Sequence, residues 1–228
     1  MSSKPNLQTM LQVYFVAGSQ DCAPCKGVSD NANNRADALL EILQQALKAG
    51  ITCYQFRDKG ELSLEKDDAA QKQLALDCQK LCRRYKVSFI MNDMVDLALE
   101  MGADGIHVGQ GDKSIIEIRE ICPTQMVLGL SINTLEQAQH WNIESAVDYF
   151  GVGPIFATNS KINHAPPVGM EFIQTLRHAG INKPLVAIGS VKPTHVTTLK
   201  KYGATGVAVV SAITQAQNIA TTVASLKA

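Results

Sequence analysis

Gly102-Ala103-Asp104-Gly105-Ile106 and Gly203-Ala204-Thr205-Gly206-Val207 are one turn written twice. Each follows an amphipathic segment and opens an apolar run, so each reads as the passage from a helix into a strand. Outward from these two turns the same alternation fills the chain. Predicted strands are 13–17, 51–56, 87–91, 105–108, 126–130, 148–152, 185–188 and 206–210. Helical periodicity follows each of them, over about 36–49, 65–85, 95–101, 115–121, 135–141, 170–179, 193–202 and 214–226. Several strands are continuous apolar runs, the mark of strands covered on both faces. Eight successive βα units predict a (β/α)8 TIM barrel. The expected organisation is one domain over residues 1–228, with 1–11 as an N-terminal tail and 18–35 as an extended loop after the first strand. An open doubly wound sheet would want a Gly-rich dinucleotide loop after strand one, and Gly18-Ser19-Gln20-Asp21 is not one.

Composition narrows the class. Of 228 residues, 46% are hydrophobic and 18% charged, enough apolar content for a sizeable core. The 21 basic and 21 acidic side chains cancel, which argues against a nucleic-acid binder needing surplus Lys and Arg. No run approaches the roughly 18 apolar residues of a membrane span, and 1–12 lacks an apolar signal core. A soluble cytoplasmic protein is the expectation, with Cys22, Cys25, Cys53, Cys78, Cys82 and Cys122 as reduced thiols. Structural zinc on the Cys22/Cys25 and Cys78/Cys82 pairs is disfavoured by their separation and by the lack of further ligands.

In a barrel, chemistry gathers at the C-terminal ends of the strands. Those positions hold Gln55-Phe56-Arg57-Asp58-Lys59, Asn92-Asp93, His107 to Asp112, Ser131, Thr158 to Lys161, Gly189-Ser190 and Ser211. Polar groups stand at nearly every strand end, a stronger signal than any single motif. Asp93 and Asp112 suit Mg2+, which takes one or two carboxylates plus phosphates and water. Taken singly, each also reads as a helix N-cap. Arg57, Lys59 and Lys161 suit a diphosphate, with surface charge as the plain alternative. Gly189-Ser190 and Val210-Ser211 suit a second phosphate, or are two ordinary βα turns. His107 reads as a packed, hydrogen-bonded residue rather than a base, and no Ser-His-Asp or Cys-His set is legible. The residues thus point to a Mg2+-dependent enzyme handling a diphosphate and a second phosphorylated molecule.

Seven ordered motifs between about Val13 and Ala224 resemble the thiamine-phosphate synthase family. They are Gln55-Phe56-Arg57-Asp58-Lys59, Asn92-Asp93, Gly105 to Gln110 with Asp112, Gly129-Leu130-Ser131, Gly151 to Phe156 with Thr158 to Lys161, Ala187-Ile188-Gly189, and Val209 to Ile213. The resemblance implies a barrel transferase that joins an aminopyrimidine diphosphate to a thiazole phosphate by a dissociative path, releasing pyrophosphate. It implies that Gln55, Phe56, Arg57, Asp58, Lys59, Asn92, Ser131 and Lys161 bind the pyrimidine diphosphate. Arg57, Lys59 and Lys161 would stabilise its departure, and Asp93 and Asp112 would hold Mg2+. Thr158, Asn159, Ser160, Gly189, Ser190, Val210 and Ser211 would hold the thiazole phosphate. This chain departs from the family pattern with Ser190 in place of a second glycine, Gly111 where an acidic residue is common, and a longer 18–35 loop. A thiazole tautomerase of the same fold, which needs no paired aspartates, and a non-catalytic phosphate-ligand sensor are the alternatives.

Overall fold

A computed structural model describes residues 4–24, 26–158 and 166–227. Eight parallel strands close in sequence order into a barrel. They are β1 (Val13–Ala17), β2 (Cys53–Phe56), β3 (Ser88–Asn92), β4 (Gly105–Val108), β5 (Val127–Ile132), β6 (Tyr149–Val152), β7 (Leu185–Ile188) and β8 (Gly206–Val209). The helices are α1 (Leu7–Met10), α2 (Ala32–Ala49), α3 (Asp68–Tyr85), α4 (Val95–Glu100), α5 (Ile115–Ile121), α6 (Leu135–Asn142), α7 (Glu171–His178), α8 (Val196–Lys201), α9 (Ser211–Thr214) and α10 (Ile219–Leu226). The barrel expectation holds, and the open sheet is excluded by the β1–β8 pairing of Tyr14 with Ala208.

The repeated turn acts as a clamp between neighbouring strands. Asp104 accepts the Phe89 N–H at 2.8 Å and returns its own N–H to the Phe89 carbonyl at 3.0 Å. Thr205 does the same to Leu185, at 3.1 and 2.9 Å. Thr52 clamps Val13 at 2.9 Å both ways, and Asp148 clamps Leu128 at 2.8 Å both ways. Each clamp sits just before an even-numbered strand and grips the odd-numbered strand before it. The gripped N–H stands at or next to the start of that strand and needs an acceptor. A short oxygen-bearing side chain supplies it, which is why the turn reads Gly-Ala-Asp/Thr-Gly.

Two shells of side chains follow from the strand period. Outward residues such as Phe15, Tyr54, Phe56 and Phe89 join the core under the helices. Their rings form a row with centroids 5.6, 6.0 and 6.5 Å apart, spacings at which aromatic pairs add about 0.5–1.5 kcal/mol each beyond area burial. α2 lays Leu39, Leu43, Ala46 and Leu47 on this shell and stops at Gly50, whose φ of +88° favours glycine. The inner core holds Tyr14, Val16, Cys53, Ile90, Val127, Tyr149, Val186 and Ala208.

Element ends differ from the sequence reading where caps decide. The 1–11 segment is not merely a tail: Asn6 caps α1, accepting the Gln8 N–H at 2.9 Å. Met10 and Leu11 then plug the barrel floor against the inner core. The 18–35 loop is shorter than expected, because Ser19–Asp21 forms a 3-10 turn and Asn31 caps α2 by accepting the Asn34 N–H at 3.0 Å. The helix expected over 214–226 is two, since Asn218 caps α10 by accepting the Thr221 N–H at 3.0 Å. Asp67 likewise starts α3 three residues later than expected. Pro193–His195 is a 3-10 turn leading into α8.

If the clamp sets the strand register, Thr205→Val removes its oxygen at nearly constant volume. Urea denaturation should show a loss of about 1–2 kcal/mol, and Thr205→Ser should recover most of it.

Candidate active site

A cavity of about 510 Å3 opens at the C-terminal ends of the strands. Tyr14, Gln55, Asn92, His107 and Ser131 face it from β1 to β5, with Arg57 and Asp21 at its edge. Gly189, Ser190, Val210, Ser211 and Thr158 line the other side. The structure therefore brings Gln55, Arg57, Asn92, Ser131, Thr158, Gly189, Ser190, Val210 and Ser211 to one cavity, as their sequence positions suggested. Asn159, Ser160 and Lys161 lie outside the described residues.

Two candidates are corrected. Phe56 points away from the cavity into the outer core, where its ring stacks on Phe89. Asp58 is 1% exposed and is spent on neighbouring backbone and side-chain donors. It accepts Ser19 N–H at 2.7 Å, Ser19 Oγ–H at 2.6 Å, Leu64 N–H at 2.9 Å and Gln71 Nε2–H at 3.1 Å. Alternation explains both: Gln55 and Arg57 face in, so Phe56 and Asp58 face out. Asp58 thereby pins the Ser19–Asp21 turn and the 60–64 loop beside the cavity mouth.

At the rim, Lys59 forms an ion pair with Asp93. Asp93 sits at φ +59°, a left-handed conformation unusual for a non-glycine residue. Its carboxyl is raised above the usual range by burial, against the pull of Lys59, and the neighbouring Asp112 carboxyl raises it further. Asp112 also accepts the Gly109 N–H at 2.7 Å. Neither aspartate is a helix cap: Met94 precedes α4 and Ser114 precedes α5. Two hard carboxylates crowded together beside a cationic cavity wall fit a hard divalent cation. Among the described residues no group of three His, Cys, Asp or Glu forms a metal cage. A cation held there would take its other ligands from phosphate and water.

On the far wall, Gly189 at φ +104° lets the chain pass Pro154, whose Cα would lie 2.7 Å from an added Cβ. Ser190 follows at φ +50° and donates Oγ–H to the Ala157 carbonyl at 2.7 Å. That bond ties the loop after β7 to the loop after β6.

Sequence reasoning missed the cavity floor. Gln55 Nε2 donates to Tyr14 Oη at 2.7 Å, and the Tyr14 and Tyr149 hydroxyls meet at 2.8 Å. Tyr149 Oη lies 3.0 Å from His107 Nδ1, and His107 Nε2 lies 2.9 Å from Ser131 Oγ. Five strands are joined by this chain. His107 is hydrogen-bonded, as expected, but it also lines the cavity. Burial pushes both tyrosine phenols well above their ordinary range, so they stay protonated. Two glycines leave room for the rings. A Cβ on Gly129 would overlap Tyr149 and His107 Nδ1, and one on Gly151 would lie 3.0 Å from His107 Cε1. Asp21 was also missed; burial raises its carboxyl, while the Gly18 N–H and the Arg57 charge lower it.

The cysteines take no part here. Cys22, Cys53, Cys78, Cys82 and Cys122 are buried free thiols, and burial pushes Cys22 up to about 12, far from thiolate chemistry. Cys25 lies outside the described residues.

Gly129→Ala should displace the Tyr149 and His107 rings. An added methyl in a packed interior costs about 1–3 kcal/mol, to be read from thermal denaturation, and ligand affinity at the cavity should fall with it.

The family model described as thiamine monophosphate synthase matches residues 25–213. A thiamine-phosphate synthase of Haemophilus influenzae (strain Rd) is 54% identical over 94% of this chain and 92% of its own length. One from Actinobacillus succinogenes is 52% identical over 96% and 97%. The solved thiamine phosphate pyrophosphorylase of Pyrococcus furiosus superposes with a TM-score of 0.78 at 26% identity, covering 97% of this chain and 96% of that one. With this match over most of its length, on the barrel whose mouth carries the site just described, the chain belongs to the thiamine monophosphate synthase family.

Proposed function

We infer that the protein is a transferase that forms thiamine phosphate from 4-amino-2-methyl-5-hydroxymethylpyrimidine diphosphate and 4-methyl-5-(2-phosphoethyl)thiazole, releasing pyrophosphate. The observation that carries this reading is the convergence of Gln55, Arg57, Asn92 and Ser131 on one cavity, beside the crowded Asp93–Asp112 pair. The small-molecule substrates and the buried free thiols suit a cytoplasmic setting. Among the described residues no helix is long and apolar enough to cross a membrane.

In this reading the pyrimidine lies on the floor formed by Gln55 and Ser131, with its diphosphate toward Arg57, Asn92 and Lys59, and Lys161 is assigned to the same diphosphate. The C–O bond of the pyrimidinylmethyl diphosphate breaks first, and its electron pair leaves with pyrophosphate. The thiazole nitrogen lone pair then forms the new C–N bond to the pyrimidinylmethyl cation. Negative charge grows on the departing oxygen, so Arg57, Lys59 and Lys161 stabilise the transition state more than the ground state. Asp93 and Asp112 would hold Mg2+, which when bound neutralises charge on the leaving diphosphate. With substrate bound, Lys59 exchanges its Asp93 partner for phosphate. Thr158, Gly189, Ser190, Val210 and Ser211 hold the thiazole phosphate on the far wall, and Asn159 and Ser160 are assigned to the same phosphate. No step needs a strong general base.

The tautomerase and the sensor have no use for the paired aspartates, and the crowding of Asp93 with Asp112 favours the synthase over both.

The pure protein with both substrates and Mg2+ should release pyrophosphate and thiamine phosphate, and omission of any one component should abolish both. Asp93→Asn should stay folded and lose about 10^3-fold or more in Mg2+-dependent turnover; an unchanged rate would sink the metal assignment. Ser190→Gly relieves a left-handed residue, worth about 1 kcal/mol, and loses the bond to Ala157. Turnover should stay within about twofold of the parent, because the two effects are of similar size; a large loss would show that the Ser190 hydroxyl itself is used.

A further inference from the structure

The hydrogen-bonded chain under the cavity has a direction. Gln55 spends an amide N–H on the Tyr14 oxygen. Tyr14 then has one proton to give, and the Tyr149 oxygen is 2.8 Å away. In that order Tyr149 would give its proton to His107 Nδ1, 3.0 Å away. A neutral imidazole that accepts at Nδ1 carries its proton at Nε2. On that tautomer Nε2–H would donate to Ser131 Oγ, 2.9 Å away, leaving the Ser131 proton to point elsewhere.

We propose that Tyr14, Tyr149 and His107 are positioning residues that hold His107 in its Nε2–H tautomer and so present Ser131 Oγ–H as a hydrogen-bond donor to a ring nitrogen of the bound pyrimidine. The identity of that ligand rests on the function inferred above; the tautomer does not. Three further observations support the relay. Tyr14 and Tyr149 are 1% and 0% exposed, so water does not compete for their hydroxyls. Gly129 and Gly151 clear the space that the His107 ring occupies. Gln110 Nε2 donates to the Ser131 carbonyl at 2.7 Å, fixing the same residue from above. The relay also sets Gln55: with its N–H turned to Tyr14, its Oε1 remains an acceptor. A donor at Ser131 and an acceptor at Gln55 complement the ring nitrogen and amino group of an aminopyrimidine.

The test begins without substrate. In 15N-histidine-labelled protein, a long-range proton–nitrogen spectrum separates the tautomers, and the His107 signals are assigned by their loss in His107→Gln. The expected result is a protonated Nε2 and a bare Nδ1; an Nδ1–H tautomer, or a doubly protonated ring, overturns the relay. Tyr149 does not line the cavity, so Tyr149→Phe acts only through its neighbours. It should redistribute the His107 tautomers and raise KM for the pyrimidine diphosphate about tenfold, the worth of one hydrogen bond. KM for the thiazole phosphate should stay unchanged. Equal loss for both substrates, or no change in either, overturns the positioning role. His107→Gln places an amide N–H near the old Nε2, whereas His107→Asn places its amide nearer the old Nδ1. His107→Gln should keep the lower pyrimidine KM, and the reverse order counts against the proposal. An Nε2–H tautomer in a protein that makes no thiamine phosphate would overturn the inferred function and the ligand half of the proposal, leaving the protein-internal relay standing.

Discussion

Thr52, Asp104, Asp148 and Thr205 each hold both backbone groups of one residue on the preceding strand, and the whole barrel is built up from those four grips. They fix the registers of β1 with β2, β3 with β4, β5 with β6, and β7 with β8. In a closed parallel sheet a slip of one residue reverses every side chain on the strand. Gln55, Asn92, His107 and Ser131 would then face the helices, and Phe56 would face the cavity. Asp148 is further held by Lys4 and Arg119, each at 2.6 Å, so this clamp also anchors the N-terminal segment.

Above the clamps the inner shell changes from apolar to polar. Cys53, Ile90 and Val127 fill the lower barrel. The next inward positions on the same strands are Gln55, Asn92 and Gly129, and His107 stands above Gly105. Small residues alternate with rings, so Tyr149 and His107 occupy space that Gly129 and Gly151 leave open. Every buried polar side-chain atom among the described residues has a partner, which a half-satisfied network in so dry a place would not allow. The result is a hydrogen-bonded polar floor beneath a cavity whose rim carries Lys59, Asp93 and Asp112.

The rim is held from outside the barrel. Asp58 gathers the loops after β1 and β2, and Ser190 ties the loop after β7 to that after β6. Site residues on separate loops are thus fixed by contacts that never touch the cavity. A functional site needs such second-layer support to hold its geometry.

The amino-acid sequence alone determined the count of βα units, the closed parallel architecture and the polar character of each strand end. Helix and strand periods are local, and a polar residue after an apolar run is visible without knowing its neighbours. It also placed Gln55, Arg57, Asn92 and Ser131 together, because strand ends in a barrel share one mouth. Which face each residue takes was decided only by tertiary structure. A strand buried on both sides has no polar face to mark its outside, so Phe56 and Asp58 could not be told from Gln55 and Arg57. Tyr14, Tyr149 and His107 lie far apart in sequence on three apolar strands, and nothing local distinguishes a tyrosine packed in the core from one in a hydrogen-bonded relay. Closure of the barrel brings Tyr14 and His107 within 3.0 Å of the Tyr149 hydroxyl, and their burial gives that proximity its consequence.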